Sequence, residues 1–439
     1  MSVKLFVSIW LLLPLQVLAT PEIQHWETGN GARVYFVELH ELPIVDVQVA
    51  FDAGSARDPN GKQGLALLTN SLLDEGAGGL GADKVSFEFE RLGAQYSADA
   101  GYDSGSASLR SLSAADKLNP ALDNLCRVLG EPDFPGEALA RQKQRLLVSI
   151  QRKQQSPGAV ANDAFQAAVY RDHPYAHPNE GTAESIKSLQ RSDVAAFHDR
   201  YYVGANAVIT IVGDLDRDRA GEVARRISQS LKTGRAPAPL PEVPSLQKSN
   251  TIRIDHPSTQ THILMGQPGV ARSDPDYFPL YVGNHILGGS GMVSRLFEEI
   301  RNERGLAYST YSYFFPRRRN GPFTAAVQTR ADQADTSLKV LLNALRHYLK
   351  DGPTAAELRD AKKNITGGFP LNLDSNSDIL GYVAMIGFYE LPLDYLDTFK
   401  DKVEAVTVAQ IRDAFRRRLD LDRMVTVQVG PQQNGEPAK

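Results

Sequence analysis

Arg301 and Tyr308 stand seven residues apart with Gly305 between them, where a helical stretch, Met292 to Glu303, gives way to the alternating run Ala307 to Phe315. That spacing leaves a guanidinium in the last helical turn beside a phenol at the entry of a strand. Both groups donate hydrogen bonds, a chemistry suited to an acceptor oxygen. Spacing alone favours a plainer role, with Arg301 complementing a helix C-terminus and Tyr308 half-buried in a strand.

Other chemistry is harder to assemble. Gly288-Gly289-Ser290-Gly291 is followed by Met292, so it lacks the last glycine of a nucleophile elbow, and no Lys and hydroxyl pair follows it as in a phosphate loop. A tightly turning loop before a helix is expected there. His173 and His177 are four apart, but Pro174 and Pro178 argue against a ligand-bearing helix. His256 and His262 flank a turn between strands and His285 sits on a buried-looking helix, so core or surface roles fit all three. No Ser-His-Asp or Cys-His set emerges from spacing.

The elements that must position these residues are legible from periodicity. Alternating runs at 33–39 and 44–51 predict strands, and helical spacing predicts helices over 115–129, 137–152, 193–201, 334–349 and 355–366. The order is two strands, two helices, two strands, several helices and a closing strand, which predicts an α+β sandwich with helices on one face of a mostly antiparallel sheet. Three internal echoes then recur in order. Gly54-Ser-Ala-Arg57-Asp-Pro returns as Gly269-Val-Ala-Arg272-Ser-Asp-Pro, Glu90 to Ser97 as Glu303 to Ser309, and Phe197 to Gly213 as Phe415 to Gly430. A duplicated domain follows. Residues 233 to 248 carry four prolines, which lack the amide hydrogens of a helix or sheet. The expected division is therefore an N-terminal domain over 20–232, a linker over 233–248 and a C-terminal domain over 249–439.

The chain has 439 residues, 42% hydrophobic and 23% charged, with a formal charge of −4. These values describe a globular protein with sizeable cores and no nucleic-acid footprint. The run Arg317-Arg318-Arg319 is expected to be a solvated loop. Residues 1–19 have one early cation, Lys4, an apolar run and a small-residue site ending at Ala19, which predicts a signal peptide cleaved there; an uncleaved anchor is the rival, although the run is short for a span. Export is expected, to the periplasm if the source is a Gram-negative bacterium. The single cysteine, Cys126, has no partner for an intramolecular disulfide.

Residues 64 to 76, Gly-Leu-Ala-Leu-Leu-Thr-Asn-Ser-Leu-Leu-Asp-Glu-Gly, resemble the zinc helix of the insulinase, pitrilysin and mitochondrial processing peptidase family, Gly-x-Ala-His-x-x-Glu-His-x-x-x-x-Gly. The resemblance puts the first ligand on Leu67, the general base on Asn70 and the second ligand on Ser71. The family's third ligand lies in a Glu-x6-Glu helix whose two acidic positions fall on Gln142 and Ser149. Leu67 offers no lone pair, and the Asn70 amide cannot take a proton from zinc-bound water, so no zinc is expected in this chain. Residues 287 to 315 resemble the family's C-terminal signature, in which a glycine-rich loop, here Gly288, Gly289 and Gly291, precedes an Arg and a Tyr seven apart. In relatives that pair binds the substrate backbone and steadies the oxyanion across a clamshell.

The resemblance implies two homologous α/β sandwich domains forming half of a clamshell. It also implies a non-catalytic subunit that supplies Arg301 and Tyr308 to a homologous zinc-bearing partner acting on unfolded peptides. No membrane anchor or nucleic-acid partner is expected. A structural scaffold or peptide-binding protein is the alternative, and an active peptidase with relocated ligands would require zinc in the purified chain.

Overall fold

A computed structural model describes residues 21–432, so the expected signal segment lies outside the described residues. The first half builds strands β1 Gln24–Glu27, β2 Arg33–Glu38 and β3 Ile44–Phe51, a small hairpin of β4 Gly76–Ala77 and β5 Leu80–Gly81, then β6 Gln95–Ala100, β7 Gly105–Leu112 and β8 Ala207–Gly213. The second half builds β9 Asn250–Asp255, β10 Gln260–Pro268, β11 Ala307–Phe314, β12 Pro322–Arg330 and β13 Val425–Gly430. The large sheets run β1-β2-β8-β3-β7-β6 and β11-β12-β10-β13-β9. Set side by side, β2-β8-β3-β7-β6 repeats as β9-β13-β10-β12-β11, with one parallel pair in each sheet, β2 with β8 and β9 with β13. The duplication read from the three echoes is therefore a duplication of topology, with β1 as an added edge. The five expected helices are present as Ala115–Gly130, Gly136–Gln154, Arg191–Tyr201, Ala334–Asp351 and Ala355–Gly368.

Alternation along the strands splits the side chains between two faces. Phe36, Val47, Val49 and Ile211 pack under the first half's own helices, while Tyr35, Val37, Val208 and Val212 point the other way. That second face is not bare, as helices on one face alone would leave it. It is covered by the helix Asn376–Phe388 from the second half, and the second sheet is covered reciprocally by the helix Pro157–Tyr170 from the first. Two glycines permit these crossings: a Cβ on Gly387 would lie 2.6 Å from the Tyr35 ring, and one on Gly266 would lie 2.9 Å from the Phe165 ring. Each buried aromatic on these helices contributes about 1.5–3 kcal/mol by removal from water, so the exchange fastens the halves together.

The seam between the halves centres on Asp103, which is 4% exposed. Its carboxylate accepts from the Tyr175 hydroxyl at 2.5 Å, the Tyr389 hydroxyl at 3.0 Å and the Arg318 backbone N–H at 2.8 Å. The arginine run is thus part of the seam and not a solvated loop. Arg317 lies over the Tyr102 ring at 3.7 Å, Arg318 donates to the Phe388 carbonyl, and Arg319 donates to the Leu240 carbonyl. Long arginine stems cover apolar and aromatic surface while their heads reach polar groups, which adjacency in sequence does not disclose. The segment 233–248 has no helix or strand, yet Leu240 and Leu246 are buried against Phe165 and Tyr170, so it is strapped to the body. No described helix is long and apolar enough to cross a membrane.

Candidate functional site

The helix Leu65–Asn70 begins at Gly64, whose φ of 89° only glycine adopts readily, and its first amides are held by Asp58, which accepts from Gly64 and Ala66 at 2.7 and 2.8 Å. Its polar groups are already committed. Asn70 is 1% exposed and its amide donates to the Ser106 carbonyl at 3.0 Å and to the Tyr202 hydroxyl at 3.2 Å. The Ser71 hydroxyl donates back to the Leu68 carbonyl at 3.0 Å. Ser149 is exposed on the helix Gly136–Gln154, and Gln142 on the same helix donates to Glu75 at 2.6 Å. Leu67, Asn70, Ser71 and Ser149 do not fit a zinc site, since they offer an alkyl group, a committed amide and two hydroxyls in place of two imidazoles and two carboxylates. Among the described residues no three His, Cys, Asp or Glu side chains gather in a way that could hold a metal. Equilibrium dialysis against zinc should accordingly leave the purified chain without a stoichiometric ion; one tightly bound zinc per chain would contradict this reading.

Asn70 is held in place through a chain of buried rings. Tyr202, which accepts its hydrogen bond, stacks on His198 at 4.9 Å, and a ring nitrogen of His198 lies 2.9 Å from the Leu129 carbonyl. Burial lowers the His198 pKa from 6.5 to about 4. The folded chain therefore keeps this ring neutral at pH values where the unfolded chain takes up a proton. Its contribution to stability is whole above the unfolded value and is lost as pH falls from about 6.5 towards 4, an effect on the order of 3 kcal/mol. Denaturant melts between pH 7 and 4 should show this loss, and His198→Phe should flatten it; an unchanged slope in that variant would count against His198.

In the second half the structure does bring Arg301 and Tyr308 together. The stretch before them is not one α-helix, as the spacing predicts. Gly291 has a φ of 63° and starts a short 3₁₀ turn, Gly291–Val293, and the following turns widen over Phe297–Asn302, where Glu303 N–H reaches back five residues to the Glu298 carbonyl. Gly305, φ 62°, then ends the helix as expected. The Arg301 guanidinium lies over the Tyr308 ring at 5.2 Å and the Phe297 ring at 4.7 Å, a contact that orients the cation without using its N–H groups. It forms no hydrogen bond or ion pair with any described residue, and neither does the Tyr308 hydroxyl.

Tyr308 is 72% exposed because of its place in the ladder. Ala307 pairs with Thr329 and Ser309 with Gln328, so Tyr308 is the extra residue of a β-bulge. β11 is also an edge strand, so one side of its backbone has no neighbouring strand. The glycine loop sits above it: Gly288 packs so closely that a Cβ would meet the Ser312 backbone N at 2.3 Å, and Met292 and Val293 at its end are exposed. Asn284 and Ser312 exchange hydrogen bonds of 2.8 and 2.7 Å beneath the loop and fix it to the strand. The site is thus two groups with free donors at the exposed bulge that starts an edge strand, whose middle is covered at Thr310 and Ser312. The bulge and the wide turn carry no pattern in the sequence; the echo of Glu90-Arg91-Leu92-Gly93 in Glu303-Arg304-Gly305 is its nearest signal, for Gly93 and Gly305 both have positive φ.

Among the described residues none of the histidines weighed from the sequence joins a group that could hold a metal. His173 caps a 3₁₀ turn by accepting from the Tyr175 N–H, which agrees with a loop and not a metal helix. His256 and His262 lie on either side of the β9–β10 turn, and burial lowers the pKa of His262 and His285.

Two sandwich domains of one topology, with a helix bearing no zinc ligands in the first and an Arg-Tyr pair in the second, define a peptidase-type scaffold. The chain belongs to peptidase family M16, the insulinase family. Residues 33–183 match the family described as Insulinase (Peptidase family M16), and residues 188–365 match Peptidase M16 inactive domain. A crystal structure of a peptidase M16 inactive domain from Pseudomonas fluorescens is 41% identical, with a TM-score of 0.91 over 95% of this chain and 100% of that chain. The non-peptidase homolog YmxG of Helicobacter pylori is 24% identical over 95% of this chain and 96% of its own length. The uncharacterized zinc protease YmxG of Bacillus subtilis is 25% identical over 81% of this chain and 85% of its own length. Likeness to a non-peptidase homologue fits the residues found at Leu67, Asn70, Ser71 and Ser149, and the chain reads as a non-catalytic member of its family.

Proposed function

We propose that this chain is the substrate-binding subunit of an exported heterodimeric zinc metallopeptidase, lending Arg301 and Tyr308 to the active site of a homologous partner that carries the zinc. The observation that carries the reading is the state of those two side chains. A guanidinium and a phenol held together by ring contact, with every donor unused, at the exposed bulge of an edge strand, form a site built to meet something outside this chain. An extended peptide would meet this chain at the exposed bulge, since Thr310 and Ser312 further along β11 are buried and the Ser312 carbonyl already accepts from Asn284; main-chain pairing of such a peptide to a sheet edge reads extended shape more than sequence and favours unfolded substrates. Its carbonyl at the bulge would meet two donors able to follow the charge that grows on oxygen during hydrolysis.

A pull-down of the tagged chain from its native exported fraction tests the pairing. Recovery of a homologue with an intact His-x-x-Glu-His helix and about one zinc per pair is expected. Recovery of the chain alone, or with partners unrelated to peptidases, would instead favour a scaffold or peptide-binding protein.

A further inference from the structure

Arg301 stands in the run Phe297-Glu-Glu-Ile-Arg-Asn-Glu-Arg304, with Glu298, Glu299 and Glu303 all within three residues of it. A guanidinium on a helix surface ordinarily pairs with a carboxylate three or four residues away, and Glu298 is at that spacing. Arg301 makes no such pair. The Glu298 carboxylate instead accepts from the Asn302 amide at 2.5 Å, and the Glu303 carboxylate accepts from Arg304 Nη1 at 2.6 Å. Glu299 contributes to the field at Arg295, whose own partner is Glu357. The acids nearest Arg301 are thus engaged elsewhere, and the guanidinium lies over the Phe297 and Tyr308 rings at 4.7 and 5.2 Å.

Phe297 is an unusual phenylalanine for its place. It is 8% exposed, yet it belongs to none of the apolar clusters of the described residues. Its neighbours Leu296 and Ile300, four apart, are the pair that joins the core. Phe297 and Arg301, also four apart, form the adjacent pair on the helix. The duplication supplies the comparison. The helix Ala82–Glu90 leads into β6 as this one leads into β11, and it buries Val85 and Phe89, four apart, in its own core. Its adjacent pair is Ser86 and Glu90, both exposed and joined by a hydrogen bond of 2.9 Å. A polar surface pair suffices in the first half, whereas the second half has a ring and a cation at the corresponding place.

We propose that Phe297 is a positioning residue of the site, holding the Arg301 guanidinium against Tyr308 and away from the carboxylates of its own helix, with Asn302 keeping Glu298 occupied. The inference rests on the reading that Arg301 and Tyr308 meet a substrate. Contact with a ring face fixes a guanidinium while leaving every N–H free, whereas an ion pair with Glu298 would occupy up to two of them and offset the charge.

Two readouts test this. In the full chain carrying isotope-labelled arginine, the Arg301 Nε–H signal is identified by its loss in Arg301→Lys. It should lie upfield of the signals of other exposed arginines, because the ring faces shield it, move towards them in Phe297→Leu, and stay in place in Phe297→Tyr. In the reconstituted pair, Phe297→Leu should lower kcat roughly tenfold with little change in KM, Phe297→Tyr should restore most of the rate, and Phe297→Leu should cost nothing further once Arg301 is replaced by Ala. Because Phe297 is buried, Asn302→Ala tests the same arrangement at an exposed position. It should shift the Arg301 signal and lower kcat, and adding Glu298→Gln should reverse both effects. An Arg301 signal that Phe297→Leu leaves in place, or a rate loss equally large in the Arg301→Ala background, would overturn the role of Phe297 alone. A signal that moves as expected in a pair whose rate is indifferent to Arg301→Ala would keep the positioning and overturn the reading it rests on.

Discussion

Replacing Arg301 by Ala and Tyr308 by Phe together lowers kcat/KM of the reconstituted pair by roughly 10²- to 10³-fold or more, the loss that follows removal of donors to a developing oxyanion. The fall should lie mainly in kcat, because the donors matter most when the carbonyl oxygen becomes charged. Tyr308→Phe alone keeps the ring under the guanidinium and removes only the hydroxyl, so it should cost less than the double change. Neither change should shift the melting temperature or the affinity for the partner appreciably, since Tyr308 is exposed and Arg301 makes no hydrogen bond within the chain. A loss confined to KM would assign the pair to ground-state binding. A loss accompanied by dissociation of the pair would make these residues an interface.

The second large effect is on stability. Asp103→Ala leaves two buried phenol hydroxyls and the Arg318 N–H without the carboxylate that accepts from them, three polar groups from both halves of the molecule. At about 1–3 kcal/mol for each group left unsatisfied, the cost is on the order of 4 kcal/mol. Because Tyr175 also accepts from the Arg319 N–H, the change loosens the arginine run as well. Chemical denaturation should show an earlier midpoint and a broadened transition as the halves lose their common seam. Asp103→Asn, which keeps one acceptor, should lie between. A variant within about 1 kcal/mol of the parent would mean that the crossing helices, and not this seam, hold the halves together.

Much of this architecture was written in local pattern. The alternation in Arg33 to Phe51 and the helical spacing of Ala115 to Leu129 each arise from one element burying one face, and both emerge close to where periodicity puts them. The echoes at Arg57 and Arg272, or at Tyr96 and Tyr308, survive because equivalent turns need equivalent residues, as the positive φ of Gly93 and Gly305 shows. What was not legible depends on contacts between distant segments. Phe165 and Tyr35 look like ordinary core residues of their own halves, and nothing beside them in sequence says that each packs against a helix or strand of the other half. Arg317-Arg318-Arg319 reads as surface because three adjacent charges repel water-poor surroundings, yet aromatic rings and carbonyls from three segments accommodate them. The bulge that exposes Tyr308 is a property of pairing with β12, and no spacing within β11 predicts it. The family likeness pointed to Arg301 and Tyr308 by position, while the free state of their donors came from the structure.

The most direct test of divided labour is a titration. Zinc-bearing partner, purified alone, is held at fixed concentration with an unfolded peptide while this chain is added. Cleavage should be near zero at the start, rise to a plateau at about one chain per partner, and stay flat when the added chain carries Arg301→Ala with Tyr308→Phe. A partner that cleaves at its full rate without this chain, or a double variant that activates as well as the parent, would contradict the account.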